Sequence, residues 1–183
     1  AFTALYYAAT RPARVSRAIL VDGALRSPGD RFPTWDVAEK AMTPPVMSAM
    51  TADAVRRNTR ERWLGDIYRP ELEPLALSVY DFSDPANVQR RLPMAYHMQI
   101  ARHLWEFRPM DYYPRIQCPT LCVVAVPPGA EIDEPSQHRA SEALKACGQL
   151  KIVWMRDTVH DIPWHRPDML AAVIQEFMTA DIP

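Results

Sequence analysis

The stretch Val153-Trp-Met-Arg-Asp-Thr-Val-His160-Asp-Ile-Pro163 decides how this chain is read. Its first residues belong to Leu150-Lys-Ile-Val-Trp-Met155, an apolar run of strand length. Beyond the loop, Pro167-Asp-Met-Leu-Ala-Ala-Val-Ile-Gln-Glu-Phe177 sets Leu170, Val173, Ile174, Phe177 and Met178 along one apolar stripe at helical spacing. Pro167 suits the first turn of that helix, where a missing N–H leaves no bond unmade. The spacing predicts a buried strand, a loop carrying His160 and a closing amphipathic helix. A histidine just past the C-terminal end of a parallel strand can hold its imidazole over the sheet edge, where open α/β folds do general-base chemistry.

Working outward, Phe2, Leu5, Tyr6 and Ala9 fall at helical spacing until Arg11-Pro12 stops them. Arg17-Ala-Ile-Leu-Val-Asp22 reads as a buried strand ended by Gly23. Thr120-Leu-Cys-Val-Val-Ala-Val126 is a continuous apolar run between Pro119 and Pro127-Pro128-Gly129. Such uninterrupted runs belong to parallel sheets covered on both faces. His138 to Ala146 reads as a helix. The order helix, strand, insertion, strand, helix, strand, helix predicts an α/β fold with a layered parallel sheet.

The insertion, about Pro33 to Arg108, lacks any β-like run and is rich in Ala, Met, Arg and Pro. Thr51 is placed to N-cap a helix. Pro70 to Phe82 reads as another, and Asp84-Pro85 as the start of a long one carrying Met94, Met98, Ile100, Ala101 and Leu104. The chain thus divides into residues 1–32, an inserted all-helical segment 33–108, and residues 109–183.

A length of 183 residues with 48% hydrophobic and 23% charged residues is ordinary for a globular domain with a sizeable core. The net charge of −1 gives no pull toward nucleic acid or anionic membrane, so neither is an expected partner. No apolar run approaches the ~20 residues of a membrane span, and no signal sequence is visible. Cys118, Cys122 and Cys147 form neither a CxxC pair nor an even framework and read as free core thiols, which points to a reducing, cytoplasmic setting. No HExxH, GxGxxG or GxxxxGK[ST] occurs, so cofactor-free chemistry with no metal is expected.

The order of these pieces resembles the α/β-hydrolase family. Ala1 to Arg11 looks like the helix after the nucleophile elbow, and Ala18-Ile-Leu-Val-Asp-Gly23 like the sixth strand. Residues 33–108 sit where hydrolases insert a helical cap. Ile116-Gln-Cys-Pro-Thr-Leu-Cys-Val-Val-Ala125 is similar to the seventh strand, and Thr158-Val-His-Asp-Ile-Pro163 to the histidine loop. The resemblance implies that His160 is the catalytic base, and that a carboxylate fixes its tautomer. The family's usual acid follows the seventh strand. In Pro127-Pro-Gly-Ala-Glu131-Ile-Asp133-Glu134-Pro135 the expected order is Asp133, then Glu131, with Asp22 an alternative because some hydrolases take their acid after the sixth strand. Asp161 reads as a turn-capping residue. His97, His103, His138 and His165 read as surface or capping residues. Trp63, Tyr68 and Trp105 are candidates for lining a substrate pocket, with burial within the helical layer as the plainer role.

No G-x-S-x-G and no glycine-flanked serine occurs in the chain. The resemblance therefore implies a nucleophile upstream of Ala1. A sheet of only these strands would leave the sixth strand unpaired, so an upstream segment or a second chain is expected to complete it. Two functions fit. One is a hydrolase of small or medium ester or related acyl substrates, which becomes a dehalogenase or epoxide hydrolase if the nucleophile is Asp. The other is a non-catalytic hydrolase-fold module that binds a small ligand or partner chain.

Overall fold

The alternation of apolar side chains along three short strands sets the central layer. In this computed structural model, which describes residues 1–45 and 50–180, the elements in chain order are α1 (Phe2–Thr10), β1 (Ala18–Val21), α2 (Pro28–Arg31), α3 (Trp35–Met42), α4 (Ala52–Asn58), α5 (Glu73–Leu77), β2 (Tyr80–Asp81), β3 (Gln89–Arg90), α6 (Met94–Glu106), β4 (Thr120–Val126), α7 (Glu134–Ala146), β5 (Leu150–Arg156), α8 (Ile162–His165) and α9 (Pro167–Thr179). Residues 46–49 of the insertion and 181–183 lie outside the described residues. Two compact units divide the chain, Ala1–Ala38 with Leu104–Pro183, and Glu39–His103.

In the first unit the sheet order is β1-β4-β5, and both pairings are parallel. Ala18 stands opposite Thr120 and Val21 opposite Val123, while Thr120 to Val126 run in register with Leu150 to Arg156. Side chains alternate between faces. Leu20, Cys122, Val124, Leu150, Ile152 and Trp154 pack with Leu5 of α1, Ala140 and Ala143 of α7, and Tyr113. Val21, Leu121, Val123 and Met155 pack on the other face with Ile162, Leu170, Val173 and Phe177. Both faces are covered, which is why β4 reads as an unbroken apolar run. Fully buried Leu20 and Leu121 each contribute on the order of 2 kcal/mol of transfer free energy. Among the described residues β1 has β4 as its one strand partner.

The first strand is shorter than the sequence predicts, and both missing ends have other work. Arg17 turns its guanidinium to the end of α9, donating from Nη1 to the Phe177 carbonyl at 2.6 Å and from Nη2 to the Ala180 carbonyl at 3.2 Å. A cation there answers carbonyls that have no intrahelical donor. Asp22 leaves the strand with φ +44. The helix α7 starts at Glu134, ahead of the expected His138, because Asp133 caps it. Trp105 also belongs to this unit: its Nε1–H donates to the Phe32 carbonyl at 2.8 Å and its ring lies against Trp35.

The second unit departs from an all-helical reading. Thr51 caps α4 as expected, its Oγ1 accepting from the Ala54 N–H at 3.3 Å. Where a helix was expected over Pro70 to Phe82, α5 ends at Leu77 and Tyr80–Asp81 pairs antiparallel with Gln89–Arg90. The helix expected from Asp84 begins instead at Met94. Local side-chain bonds explain both. Asp81 Oδ1 accepts from the Ser83 N–H and Asp84 Oδ1 from the Ala86 N–H, each at 3.0 Å, and such turns compete with helical bonding. Pro93 would break any helix arriving from Asp84 and is tolerated at the start of a new one. Val55, Leu77 and Val88 form the small core of this unit with Tyr80 and Phe82. No helix among the described residues is long and apolar enough to cross a membrane.

Tyr113 is fully buried and donates to the Ala24 carbonyl at 3.0 Å, with Ala24 itself at φ +71. Tyr113→Phe is expected to lower the unfolding free energy by about 1 kcal/mol, because that carbonyl loses a buried donor. Urea unfolding followed by circular dichroism measures this, and an unshifted midpoint would show that the bond adds nothing.

Candidate active site

His160 lies in the loop between β5 and α8, and four backbone features shape that loop. Asp157 takes φ +52 as the chain leaves β5. The buried Thr158 then donates its N–H to the Val126 carbonyl at 3.0 Å, which prolongs the β4–β5 pairing by one bond. The Val159 N–H donates to Nδ1 of His165 at 3.1 Å, so His165 braces the loop. Asp161, at φ −79 and ψ 61, forms an inverse γ-turn closed by the Ile162 N–H to the His160 carbonyl at 2.8 Å. Asp161 was expected to cap with its side chain. It acts through its backbone instead: its carbonyl accepts from the Trp164 and His165 N–H groups, and its side chain makes no cap bond.

The ring of His160 is held from β1. Nδ1 of His160 lies 2.5 Å from Oδ2 of Asp22. The same carboxylate is anchored through Oδ1, which accepts from the Ala125 N–H at 2.9 Å, and the Asp22 N–H donates to the Val123 carbonyl at 2.7 Å. Asp22 is thus tied at both ends to β4, the strand beside its own. Its left-handed backbone is one that aspartate adopts at less cost than most residues. The Asp22 side chain is 12% exposed and the imidazole 83%. A mostly buried, fixed acceptor therefore orients an accessible ring through Nδ1, which leaves Nε2 as the nitrogen for proton exchange. Gly23 follows directly. A Cβ there would come within 2.9 Å of the Ala1 Cβ, so the start of α1 stands beside the Asp22 turn.

The Asp22 hydrogen bond raises the His160 pKa above the ordinary histidine value of 6.5; partial burial opposes this, and the Asp22 and Asp161 charges reinforce it. Because the folded pKa is the higher one, the pair's contribution to stability is complete below the unfolded value. It is lost as pH rises through the raised value.

The structure does not bring Asp133 or Glu131 to His160. Asp133 caps α7, its Oδ1 accepting from the Ser136 N–H at 2.7 Å, and its Oδ2 lies 3.0 Å from Arg26. The Ser136 hydrogen bonds and then Arg26 hold its carboxyl below the usual range. Glu131 is exposed, just past the turn in which the Ala130 N–H bonds the Pro127 carbonyl and Gly129 takes φ +70. The run Asp133-Glu-Pro-Ser136 carried a readable signal of this role, since Asp followed by Pro in the first helical turn marks an N-cap. Of the aromatic candidates, Tyr68 donates to Glu73 at 2.9 Å, Trp63 is exposed beside a pocket of the second unit, and Trp105 packs on Trp35. Cys122, one residue below the Asp22 anchor, is an inert thiol pushed up to about 12 by burial and then by Asp22. Among the described residues no His, Cys, Asp and Glu side chains gather in a group that could hold a metal ion.

No family model matches the chain, and no curated protein matches it. Solved structures do. An E-2-(acetamidomethylene)succinate hydrolase is 18% identical with a TM-score of 0.69, over 96% of this chain and 62% of its own. An esterase of M. tuberculosis is 16% identical with a TM-score of 0.67, over 98% of this chain and 59% of its own. A peroxisomal alpha-beta-hydrolase of Saccharomyces cerevisiae is 12% identical with a TM-score of 0.69, over 100% of this chain and 53% of its own. The chain has the α/β-hydrolase fold and spans about three-fifths or less of the length of these structures.

In a pH titration by nuclear magnetic resonance, His160 is expected to show a midpoint above 6.5 that falls in Asp22→Asn and stays in place in Asp133→Asn. A midpoint insensitive to Asp22→Asn would remove Asp22 from any role in holding the imidazolium.

Proposed function

We propose that this chain carries the base-and-acid half of a hydrolase acting on small or medium acyl substrates. The single observation that supports the reading is the anchored Asp22 carboxylate on His160 Nδ1. In this reading His160 Nε2 removes the proton from a hydroxyl nucleophile as its oxygen bonds the substrate's acyl carbon. Asp22 keeps the proton on Nδ1 and faces the positive charge that develops on the ring. The imidazolium then returns the proton to the leaving oxygen as the acyl bond breaks. Water repeats the cycle: His160 takes its proton as the water oxygen bonds the acyl carbon. The imidazolium returns that proton to the nucleophile's oxygen as the acyl group leaves as the acid.

The nucleophile comes from outside the 183 residues in this reading, as does a segment or partner chain that completes the sheet beside β1. Asp22 takes the orienting role ahead of Asp133 and Glu131, whose surroundings are those of a helix cap and an exposed turn. In this reading residues 33–108 are the inserted cap. Several of the similar structures are named as hydrolases or esterases, and they support hydrolysis as the reaction class. Because the Asp22 bond raises the base, turnover rises with pH on the alkaline side of the ordinary histidine range.

The test is made on the full protein with p-nitrophenyl acetate and butyrate. His160→Ala is expected to lower turnover by roughly 10²–10⁴-fold with the fold intact. Asp22→Asn is expected to cost more than Asp133→Asn or Glu131→Gln. Intact mass after a fluorophosphonate probe reads the nucleophile: one adduct supports a serine. Near-normal turnover in His160→Ala would overturn the assignment of the base.

A further inference from the structure

The Glu39–His103 unit carries a concavity of about 440 Å³, with Arg56 and Arg91 on its wall alongside Leu77, Tyr80 and Phe82. Its one lining carboxylate among the described residues, Glu73, is already answered. Arg60 donates to both Glu73 oxygens, from Nε and Nη2, at 2.8 Å each, and the Tyr68 hydroxyl donates at 2.9 Å. The Glu73 carboxyl is accordingly held below its usual range, by the Arg60 hydrogen bonds first. This buried acid therefore offers the cavity no unanswered negative charge.

The two arginines differ from Arg60. Arg56 lies with its guanidinium 5.2 Å from the centroid of the Phe82 ring and makes no hydrogen bond or ion pair among the described residues. Contact through the π-face leaves its N–H edge available. Arg91 donates Nε to the Ser78 carbonyl at 3.0 Å, and its backbone N–H bonds the Val79 carbonyl at 2.9 Å. Those bonds orient the side chain and leave its terminal nitrogens to the cavity. Asp81, whose charge interacts with that of Arg91, accepts from the Ser83 N–H in its own turn. Solvated arginines ordinarily sample many rotamers. These two are held, one by a ring and one by a carbonyl, at the same hollow beside Leu77, Tyr80 and Phe82.

We propose that this hollow binds a small organic anion, a carboxylate or phosphate monoester carried on an apolar or aromatic body. Guanidinium edges match the planar oxygens of such groups, and Leu77, Tyr80 and Phe82 supply the surface for the body. Neither part of the ligand is sufficient alone. Inorganic phosphate lacks the body and phenol lacks the charge. The site is independent of His160 and of whether the chain hydrolyses anything.

The experiment is calorimetric titration of the full protein with phenylphosphate and with benzoate, and with inorganic phosphate and phenol as controls. At least one of the first two is expected to bind saturably, and the stronger one identifies the head group. Each control is expected to bind more weakly. Arg56→Gln and Arg91→Gln should each weaken binding by roughly tenfold. Arg57→Gln, a neighbour on the same helix that lines a different hollow, should leave binding unchanged. Both test positions are exposed, and superimposable thermal melts check that the folds are intact. The proposal is overturned if neither organic anion saturates, or if Arg57→Gln weakens binding as much as Arg56→Gln does.

Discussion

One carboxylate joins the three strands of the parallel sheet at one edge. Asp22 follows the last residue of β1, is tied through backbone and side chain to β4, and reaches a histidine that follows β5. The bond to His160 thus samples all three strands. The parallel register makes it possible: β1 ends opposite Val123, while β4 and β5 run on to Val126 and Arg156 at the same edge of the sheet. A slip of one residue in the β1–β4 pairing would turn Asp22 to the opposite side of the pleat. The geometry of the Asp22–His160 pair and the strand register are in this respect one property.

The remaining structure keeps that edge in place. Apolar side chains alternate to two covered faces, so neither face can rotate toward water without losing burial. Arg17 ties the far end of β1 to the end of α9, and Thr158 and His165 hold the loop between β5 and α8. Tyr113 fixes the turn after Asp22 from beneath. Among the described residues Asp22, Ala24 and Asp157 sit at positive φ without being glycine, and all lie in the turns that leave the C-terminal ends of strands. Backbone conformations of that kind persist where surrounding contacts over-determine them, and they cluster at functional edges.

The acid shows where a sequence misleads. Asp133 stands in the loop where the family pattern puts a triad carboxylate, and its chemistry suits that place. Its neighbours do not. Pro135 and Ser136 make it the cap of α7, and Arg26 takes the other oxygen. A capped helix start and an orienting acid make competing demands on one short side chain. The helix wins because Ser136 is three residues away and His160 is reachable only through tertiary folding. In the second unit the same competition shortened a helix, with Asp81 and Asp84 bonding their own following backbone.

Apolar periodicity and proline punctuation by themselves determined the three strands of the parallel sheet, the closing helix and the loop holding His160, since burial alternation and the missing proline N–H act within a few residues of chain. They also determined that residues 33–108 interrupt the sheet-forming segments. Only the tertiary structure decided which carboxylate meets His160, because Asp22 lies 138 residues away and their proximity depends on two strand pairings that local sequence does not encode. It likewise decided that Arg56 and Arg91 share one hollow while Arg60 is spent on Glu73. Charge along a chain is local, but the field a ligand meets is assembled by packing.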